Sequence, residues 1–545
     1  MKVVLAEKVS PATLAVFQRS PEWQVVTHDQ IKNGLEAELA DAEALVVRSA
    51  VQVDAKLLES APKLRVIGRA GVGVDNIDTE AATRHGIVVM NTPGGNAVAV
   101  AELTLGLMIA LARMVPRANA TMHAGKWEKK SLQGSELRGK TLGIVGMGRV
   151  GLEVARRARS FGMELLGHDP FVSARPNQRA AIAREYGAVL APLEEVLQKA
   201  DYVTLHLGLT ADTESMINAQ TLAAMKKGVR LINCARGELI DEGALAEALR
   251  SGHVAGAALD VFRKEPLKDS PFFGMENVIL TPHIAGSTGE AQEAVGVQIA
   301  EQVHAYLTTG VVQNAVNFPS LSYEEYSALA PYLELGDRLG KFLAATFDGK
   351  IESLHITYSG ALAQMRTEMI RNAVLCGLLG TSGHANRVNA SAIAADQGIH
   401  VHEQKDEETQ SATGTTLKLT AHAGKQSAHP GVSVSGTVLH GRAPRLLFCD
   451  GIDIEAPLEG TLLFLRNQDV PGVIGRVGTM LGELGINIAN FSLGRAESAA
   501  GKDGVRQALA VVHVDAASPA AKLAQAAEKL QSLDAIRSVR LVKLK

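Results

Sequence analysis

Short apolar runs alternate with amphipathic stretches along the first 315 residues. Lys2–Ala6, Ala44–Val47, Arg65–Gly68 and Ile87–Met90 are brief, rich in Val and Ile, and bounded by turn residues, which is the pattern of strands. Pro11–Gln18 and Asp54–Glu59 lie between them with helical spacing. A rhythm of this kind builds parallel sheets, because a parallel pair needs a helix to carry the chain back. Pro93-Gly-Gly-Asn96 reads as a turn into a long helix, with Asn96 as its N-cap. A denser series of the same rhythm runs from Lys140 to about Ile284, and Gly289–Thr309 is again helical. The expected class is α/β: a smaller doubly wound unit over residues 1–95 and 286–315, interrupted by a larger one over 96–285. A chain that crosses twice between two units makes a hinge with a cleft beside it.

The texture changes after Asn317. Ser322–Leu343 has helical spacing, Ile351–Tyr358 and Val432–Leu439 read as strands, and His402–Thr420 is polar. Residues 316–455 therefore form an α+β unit, in which no catalytic constellation is visible. In the last segment, 460–545, strands at Thr461–Arg466, Ile486–Leu493, Gln507–Val514 and Ile536–Leu544 frame two helices. The first helix carries an apolar face of Val473, Ile474, Val477, Met480, Leu481 and Leu484, and the second spans Pro519–Leu530. The order βαββαβ is ferredoxin-like.

Composition narrows the function. A chain of 545 residues exceeds one core, and 55 Lys+Arg against 58 Asp+Glu leaves no excess of charge to attract nucleic acid or an anionic membrane. Cys234, Cys376 and Cys449 have neither zinc nor redox spacing, nor the number of a disulfide framework, and no metal-ligand set is visible. Leu103–Ala112, the most apolar helical stretch, is too short to span a bilayer. The N-terminus meets Glu7 and Lys8 at once, unlike a signal peptide, so a cytoplasmic enzyme is expected.

The sharpest motif is Thr141-Leu-Gly-Ile-Val-Gly146-Met-Gly148-Arg149-Val150-Gly151, a strand, a glycine turn and a helix start. Asp169 follows eighteen residues after Gly151, at the end of the apolar run Glu164–His168. Two glycines allow a tight turn and close approach to a pyrophosphate, the third lets helix and strand pack, and the helix N-terminus offers N–H donors to phosphate. Asp169 would accept from ribose hydroxyls and repel a 2′-phosphate, which favours NAD over NADP.

Three further motifs each place a polar group just after a short apolar strand: Leu231-Ile-Asn-Cys234-Ala235-Arg236-Gly, Ala258-Leu-Asp260-Val-Phe-Arg-Lys-Glu265-Pro, and Leu280-Thr-Pro-His283-Ile-Ala-Gly286. In an open α/β sheet the carboxyl ends of strands face the ligand crevice. Together these motifs resemble the D-isomer-specific 2-hydroxyacid dehydrogenases. The resemblance implies two Rossmann-like domains, one for substrate and one for NAD, and a catalytic set of Arg236, Glu265 and His283. His283 would exchange the hydroxyl proton, Glu265 would orient its imidazole, and Arg236 would hold the substrate carboxylate. Val72, Leu207, Cys234, Ala235, Asp260 and Gly286 would line the cofactor pocket with Gly146, Gly148, Arg149, Val150 and Gly151. For Cys234, a role as a small buried hydrophobe is at least as well supported as thiol chemistry.

Val46-Val-Arg48-Ser and Gly68-Arg69-Ala-Gly71-Val72-Gly-Val-Asp75-Asn76 are similar to the phosphoglycerate dehydrogenase branch of that family. This implies carboxylate contacts from the backbone of Gly71 and Val72, and phosphate contacts from Arg48, Arg69 and Asn96, with 3-phosphoglycerate as substrate. An internal salt bridge is the competing role for Arg69. Lys126-Trp127 would lie near the hinge or an interface between subunits. The tail, with Arg466-Asn467-Gln-Asp469-Val-Pro471-Gly472 and Gly485-Ile-Asn487, resembles an ACT domain, and residues 316–455 resemble the intervening regulatory domain of the long form, with Arg442 and Arg445 as candidate anion ligands. Asn467, Asp469 and Asn487 would then hold an amino-acid effector, L-serine, shared between two ACT domains of a homotetramer. Asn467 stands where His or Tyr is usual, and an ACT domain used only for dimerisation is the alternative. The competing functions are a dehydrogenase of another D-2-hydroxy acid and an NAD-sensing co-repressor on the same scaffold.

Overall fold

The computed structural model describes residues 1–380, 385–406, 414–424, 431–497, 505–515 and 518–544. The first of its four sheets has five parallel strands in the order Gln24–Val26, Lys2–Leu5, Ala44–Val47, Val66–Arg69, Val88–Met90. Lys2–Leu5 and Ala44–Val47 are buried along their whole length, and so read as unbroken apolar runs rather than alternating ones. Lys2 is the charged exception, and Glu38 and Asp41 hold its ammonium at 2.9 and 2.7 Å. The Gly289–Thr309 helix returns to this sheet, packing Val295, Ile299 and Val303 against Val3, Leu5 and Val46. Gly68 admits it, since a Cβ there would lie 2.7 Å from the Ile299 side chain.

The second sheet has seven parallel strands in the order Val278–Leu280, Val254–Leu259, Val229–Asn233, Tyr202–Leu205, Thr141–Val145, Glu164–His168, Ala188–Leu190. The chain order reverses between Thr141–Val145 and Tyr202–Leu205, where doubly wound folds open their ligand crevice. The Ala97–Ala112 helix covers one face, with Leu105 and Met108 in the same core as Leu142 and Ile144. Asn96 precedes this helix but its side chain makes no cap: its backbone sits at φ −111° and ψ 9°, outside the extended region from which a cap reaches the N2 and N3 donors. The helix stops at Met114, whose φ is +52°, and the chain bends by 64° into Val115–His123. Among the described residues no single helix is long and apolar enough to cross a membrane.

The third sheet runs His400–Asp406, Ile351–Ser359, Thr416–Ala423, Val432–Leu439, Ala443–Cys449, Ile452–Pro457, with only the first pair parallel. One face packs on the helices Tyr323–Thr346 and Thr367–Leu379. Ser322 and Glu325 start the longer helix with a capping box: the Glu325 N–H donates to Ser322 Oγ at 3.1 Å, and the Ser322 N–H donates to Glu325 Oε2 at 2.8 Å. Arg442 is exposed on the turn before Ala443–Cys449, whereas the Arg445 Nε is buried without a partner. The fourth sheet is antiparallel in the order Ile488–Arg495, Gln507–Val514, Gly460–Gln468, Ile536–Leu544, the ferredoxin-like order expected from the tail. Sequence reading treats the last two units as separate. They share a core, in which Phe464 meets Phe342 edge-on at 5.3 Å and Leu462 and Val511 pack with it.

The two long helices of the third unit cross on glycine. A Cβ at Gly377 would strike the carbonyl of Asp337, and one at Gly340 the carbonyl of Val374. Alanine gains about 1 kcal/mol over glycine in helix propensity, but overpacking against backbone costs about 1–3 kcal/mol. Gly377→Ala should therefore lower the midpoint of thermal unfolding, and an unchanged or raised midpoint would mean that the helices separate without cost.

Candidate active site

Both large units present the carboxyl ends of their strands to one cleft of about 850 Å³. From the first unit come Arg48, directly after Ala44–Val47, and Arg69, the last residue of Val66–Arg69. Glu7 fixes the Arg48 segment, its Oε1 accepting from the N–H groups of Arg48, Ala50 and Val51 at 2.8–3.2 Å. Among the described residues the Arg48 guanidinium reaches only the carbonyl of Lys8, at 3.4 Å. Arg69 folds over Gly71, whose φ of +149° and missing Cβ make room for the guanidinium. Its Nε is buried with no acceptor, and among the described residues neither Arg48 nor Arg69 forms an ion pair. Burial, and then the neighbouring charges of Arg236 and Arg48, hold the Arg69 guanidinium below its ordinary pKa against the opposing pull of Asp75 and Glu7. The internal salt bridge weighed for Arg69 is thus not formed. Gly71 and Val72 are tied by their carbonyls, which accept from the Thr92 N–H at 2.9 Å and the Asn91 Nδ2 at 2.6 Å.

The second unit supplies the Arg236, Glu265 and His283 segments, all after strands of its sheet. His283 has φ +52°, and its Nδ1 lies 2.7 Å from Glu265 Oε2. A carboxylate can only accept, so Nδ1 carries a proton in this pair, and Nε2 is the ring nitrogen left for the cleft. Glu265 is set by its other oxygen, which accepts from the Phe262 N–H at 3.0 Å. Asn233, fully buried, shapes the next loop by donating to the Arg236 carbonyl at 2.8 Å and accepting from the Ala235 N–H at 3.0 Å. Gly237 lets that loop lie against the backbone of Phe262 and Arg263, where any Cβ would collide. An imidazole held by a carboxylate, beside three guanidinium groups, can move a proton on an anionic substrate.

Asp260 lies behind the His283 segment. It is fully buried, and its carboxylate accepts from Thr281 Oγ1 at 2.6 Å and from the N–H groups of Ile284 and Ala285 at 2.9 and 2.8 Å. It holds the His283 segment from behind. Cys234 is also buried, and desolvation pushes its thiol up to about 12, which leaves it a neutral small side chain.

The glycine turn fits a dinucleotide. Gly146 has φ +97°, and a Cβ there would strike the His206 carbonyl; one at Gly151 would strike the Gly146 carbonyl. Nothing lies within 4 Å of a Cβ at Gly148, so the N-terminus of Arg149–Ser160 opens on free space. Val150 and Leu207 are half-buried beside the turn. Asp169 holds the turn, its Oδ2 accepting from the Met147 N–H at 3.1 Å, while its Oδ1 caps the next short helix. Arg149 reaches across the cleft to the Pro93 carbonyl. Asn96 lies against Gly286 with its Oδ1 buried and unpaired. Two groups carry no sign of their surroundings in the motifs: Asp75, which pairs with Arg236 at 3.1 Å, and His206, half-buried beside the turn, where desolvation pushes its imidazole down to about 3. Neither a contact between units nor the burial of one histidine is marked by local sequence.

The effector residues lie apart within one chain. Asn467 is buried with its Oδ1 unpaired, and Asp469 pairs with Arg495 at 3.3 Å. Asn487 donates to Asp515 at 2.8 Å, near the opposite end of the Gly460–Gln468 strand. At about 3.3 Å per residue the two groups are roughly 20 Å apart.

Family models match residues 105–285 (D-isomer specific 2-hydroxyacid dehydrogenase, NAD binding domain), 328–449 (D-3-phosphoglycerate dehydrogenase intervening domain) and 461–531 (ACT domain). The chain is 41% identical to D-3-phosphoglycerate dehydrogenase of Methanocaldococcus jannaschii, over 91% of this chain and 93% of that one. It is 38% identical to the Archaeoglobus fulgidus enzyme of the same name over the full length of both. Among solved structures, the TT0316 protein of Thermus thermophilus matches 58% of this chain and all of its own, at 37% identity and a TM-score of 0.51. The chain belongs to the D-3-phosphoglycerate dehydrogenase family, in the long form that carries an intervening domain and an ACT domain.

Proposed function

We propose that this chain works in the cytoplasm, oxidising the C2 hydroxyl of 3-phospho-D-glycerate to give 3-phosphooxypyruvate, the first step of L-serine biosynthesis, with NAD as cofactor. The observation that carries this reading is a single cleft joining the His283–Glu265 pair to three arginines, two of which have no carboxylate partner. An unphosphorylated hydroxy acid would leave Arg48 and Arg69 without a counter-charge, and an NAD-sensing protein would have no use for an aligned proton acceptor.

The Gly146–Gly151 turn would hold NAD, which would supply the hydride acceptor for C2. Arg236 and the backbone at Gly71 and Val72 hold the carboxylate. Arg48, Arg69 and Asn96 hold the phosphate, for which planar guanidinium groups are well shaped. His283 Nε2 accepts the hydroxyl proton, and Glu265 steadies the imidazolium that results. Asp169 would accept from the adenosine ribose hydroxyls and would disfavour a 2′-phosphate. L-Serine acts as effector where Asn467 and Asp469 of one copy meet Asn487 of another, which accounts for their separation within one chain. Val98, Val115, Met122 and Trp127, exposed along the arm from 97 to 127, favour a further contact between copies and hence a homotetramer.

NADH absorbance should rise with 3-phosphoglycerate far faster than with D-glycerate or D-lactate. Arg69→Ala should raise KM for the phosphorylated substrate about 10–100-fold, the equivalent of about 1.5–3 kcal/mol for a bond to a charged group, and an unchanged KM would make Arg69 structural. His283→Ala should lower turnover roughly 10²–10⁴-fold while NAD affinity, read by fluorescence titration, holds; a normal rate would refute the proton role. Asn487→Ala should raise the serine concentration needed for half-inhibition, and the same inhibition curve would count against the shared site.

A further inference from the structure

One acid in the cleft takes no part in this chemistry. Asp75 stands on the loop after Val66–Arg69, with its side chain two-thirds exposed, and its Oδ2 lies 3.1 Å from Nη2 of Arg236. Arg236 comes from the other unit, so the pair bridges the two walls of the cleft. The backbone is shaped for it: a Cβ at Gly73 would fall on that Nη2 and lie 2.6 Å from Asp75 Oδ2. The other end of the guanidinium is also engaged, since Nη1 donates to the Ala235 carbonyl at 2.7 Å. The contrast with Arg69 is sharp, because Arg69 has no acceptor for its buried Nε and no ion pair among the described residues. Within one cleft, then, the arginine read as the carboxylate fork already holds a carboxylate, while those read as the phosphate site do not.

We propose that Asp75 is the resident counter-ion of Arg236: its carboxylate holds the guanidinium over Gly73 in the free cleft and yields it to the substrate carboxylate. The inference rests on the carboxylate role proposed for Arg236 above. Exposure makes the exchange feasible, because an ion pair in contact with water is weak, whereas the substrate brings a carboxylate together with its hydroxyl and phosphate contacts. The pair aligns Arg236 before substrate arrives and weakens the hold of the site on any ligand that has only a carboxylate to offer. Asp75 is thus a positioning residue that competes with the substrate group it prepares for.

The test is Asp75→Asn, which keeps the shape and one acceptor but removes the charge. KM for 3-phosphoglycerate should fall roughly two- to fivefold at low ionic strength, with a smaller change at about 0.5 M salt. kcat should not rise, because the competitor acts on binding. The inhibition constant of D-glycerate should fall by the same factor, since Asp75 competes only with the carboxylate that both ligands share. In an Arg236→Ala background the asparagine should have no effect, and Asp75→Glu should restore the original KM. A KM that rises or stays level in Asp75→Asn, or a gain confined to the phosphorylated ligand, overturns the proposal. If Arg236→Ala alone leaves KM unchanged, the carboxylate role of Arg236 fails instead, and the two failures are distinguishable.

Discussion

The carboxylate of Asp260, fully buried behind the cleft, accepts hydrogen bonds from the Thr281 hydroxyl and from the N–H groups of Ile284 and Ala285. A buried charge without donors costs several kcal/mol, so the segment 281–285 folds tightly around it. That fold carries His283 to φ +52°, a conformation costing about 1–2 kcal/mol for a residue with a Cβ. Bonds to a charged acceptor contribute about 1.5–3 kcal/mol each, so the three of them outweigh the strain. The imidazole is thereby brought to Glu265, and Glu265 in turn is set by the Phe262 N–H. Gly237 packs the Arg236 loop on the same Phe262 backbone. One buried acid thus fixes the frame on which Arg236, Glu265 and His283 are arranged.

The cleft is polar in a directed way. Two parallel sheets point their carboxyl ends at each other, and each contributes a different chemistry. The first unit brings two cations that form no ion pair among the described residues, and burial of Arg69 opposes its charge. The second brings a hydrogen-bonded acid–base pair and a glycine turn open to solvent at Gly148. Contacts that cross the gap, Arg236 to Asp75 and Arg149 to the Pro93 carbonyl, couple the two units around the ligand positions.

The C-terminal half is joined more firmly than a string of modules. Phe342, Phe464 and Leu462 lie in one core, and Asp450–Arg466 and Asp348–Arg540 pair across the same boundary. Asn386 and Asn389 donate to the Gly86 and Arg84 carbonyls of the first unit, at 2.8 and 3.1 Å. Contacts thus run from the fourth unit to the third and from the third to the first.

The sequence by itself determined the elements that depend on local periodicity and backbone chemistry. Buried strands such as Ala44–Val47, the helix from Ser322, the glycine turn at 146–151 and the βαββαβ tail are all legible, because each signal lies within a few residues of the chain. The motifs that end in Arg236, Glu265 and His283 are legible for the same reason. What local signals could not determine is where side chains separated along the chain meet. Asn96 precedes its helix as a cap would, yet its backbone angles leave the cap unmade. Asp260 reads like its neighbours in the motif, and only the fold shows that it is fully buried with three donors around it. The Asp75–Arg236 pair, the unpartnered state of Arg69 and the distance between Asn467 and Asn487 follow from packing between units and from sheet register. Only the tertiary structure decided these, because burial and pairing are properties of space, and residues 161 positions apart can share a cleft only once the chain has closed.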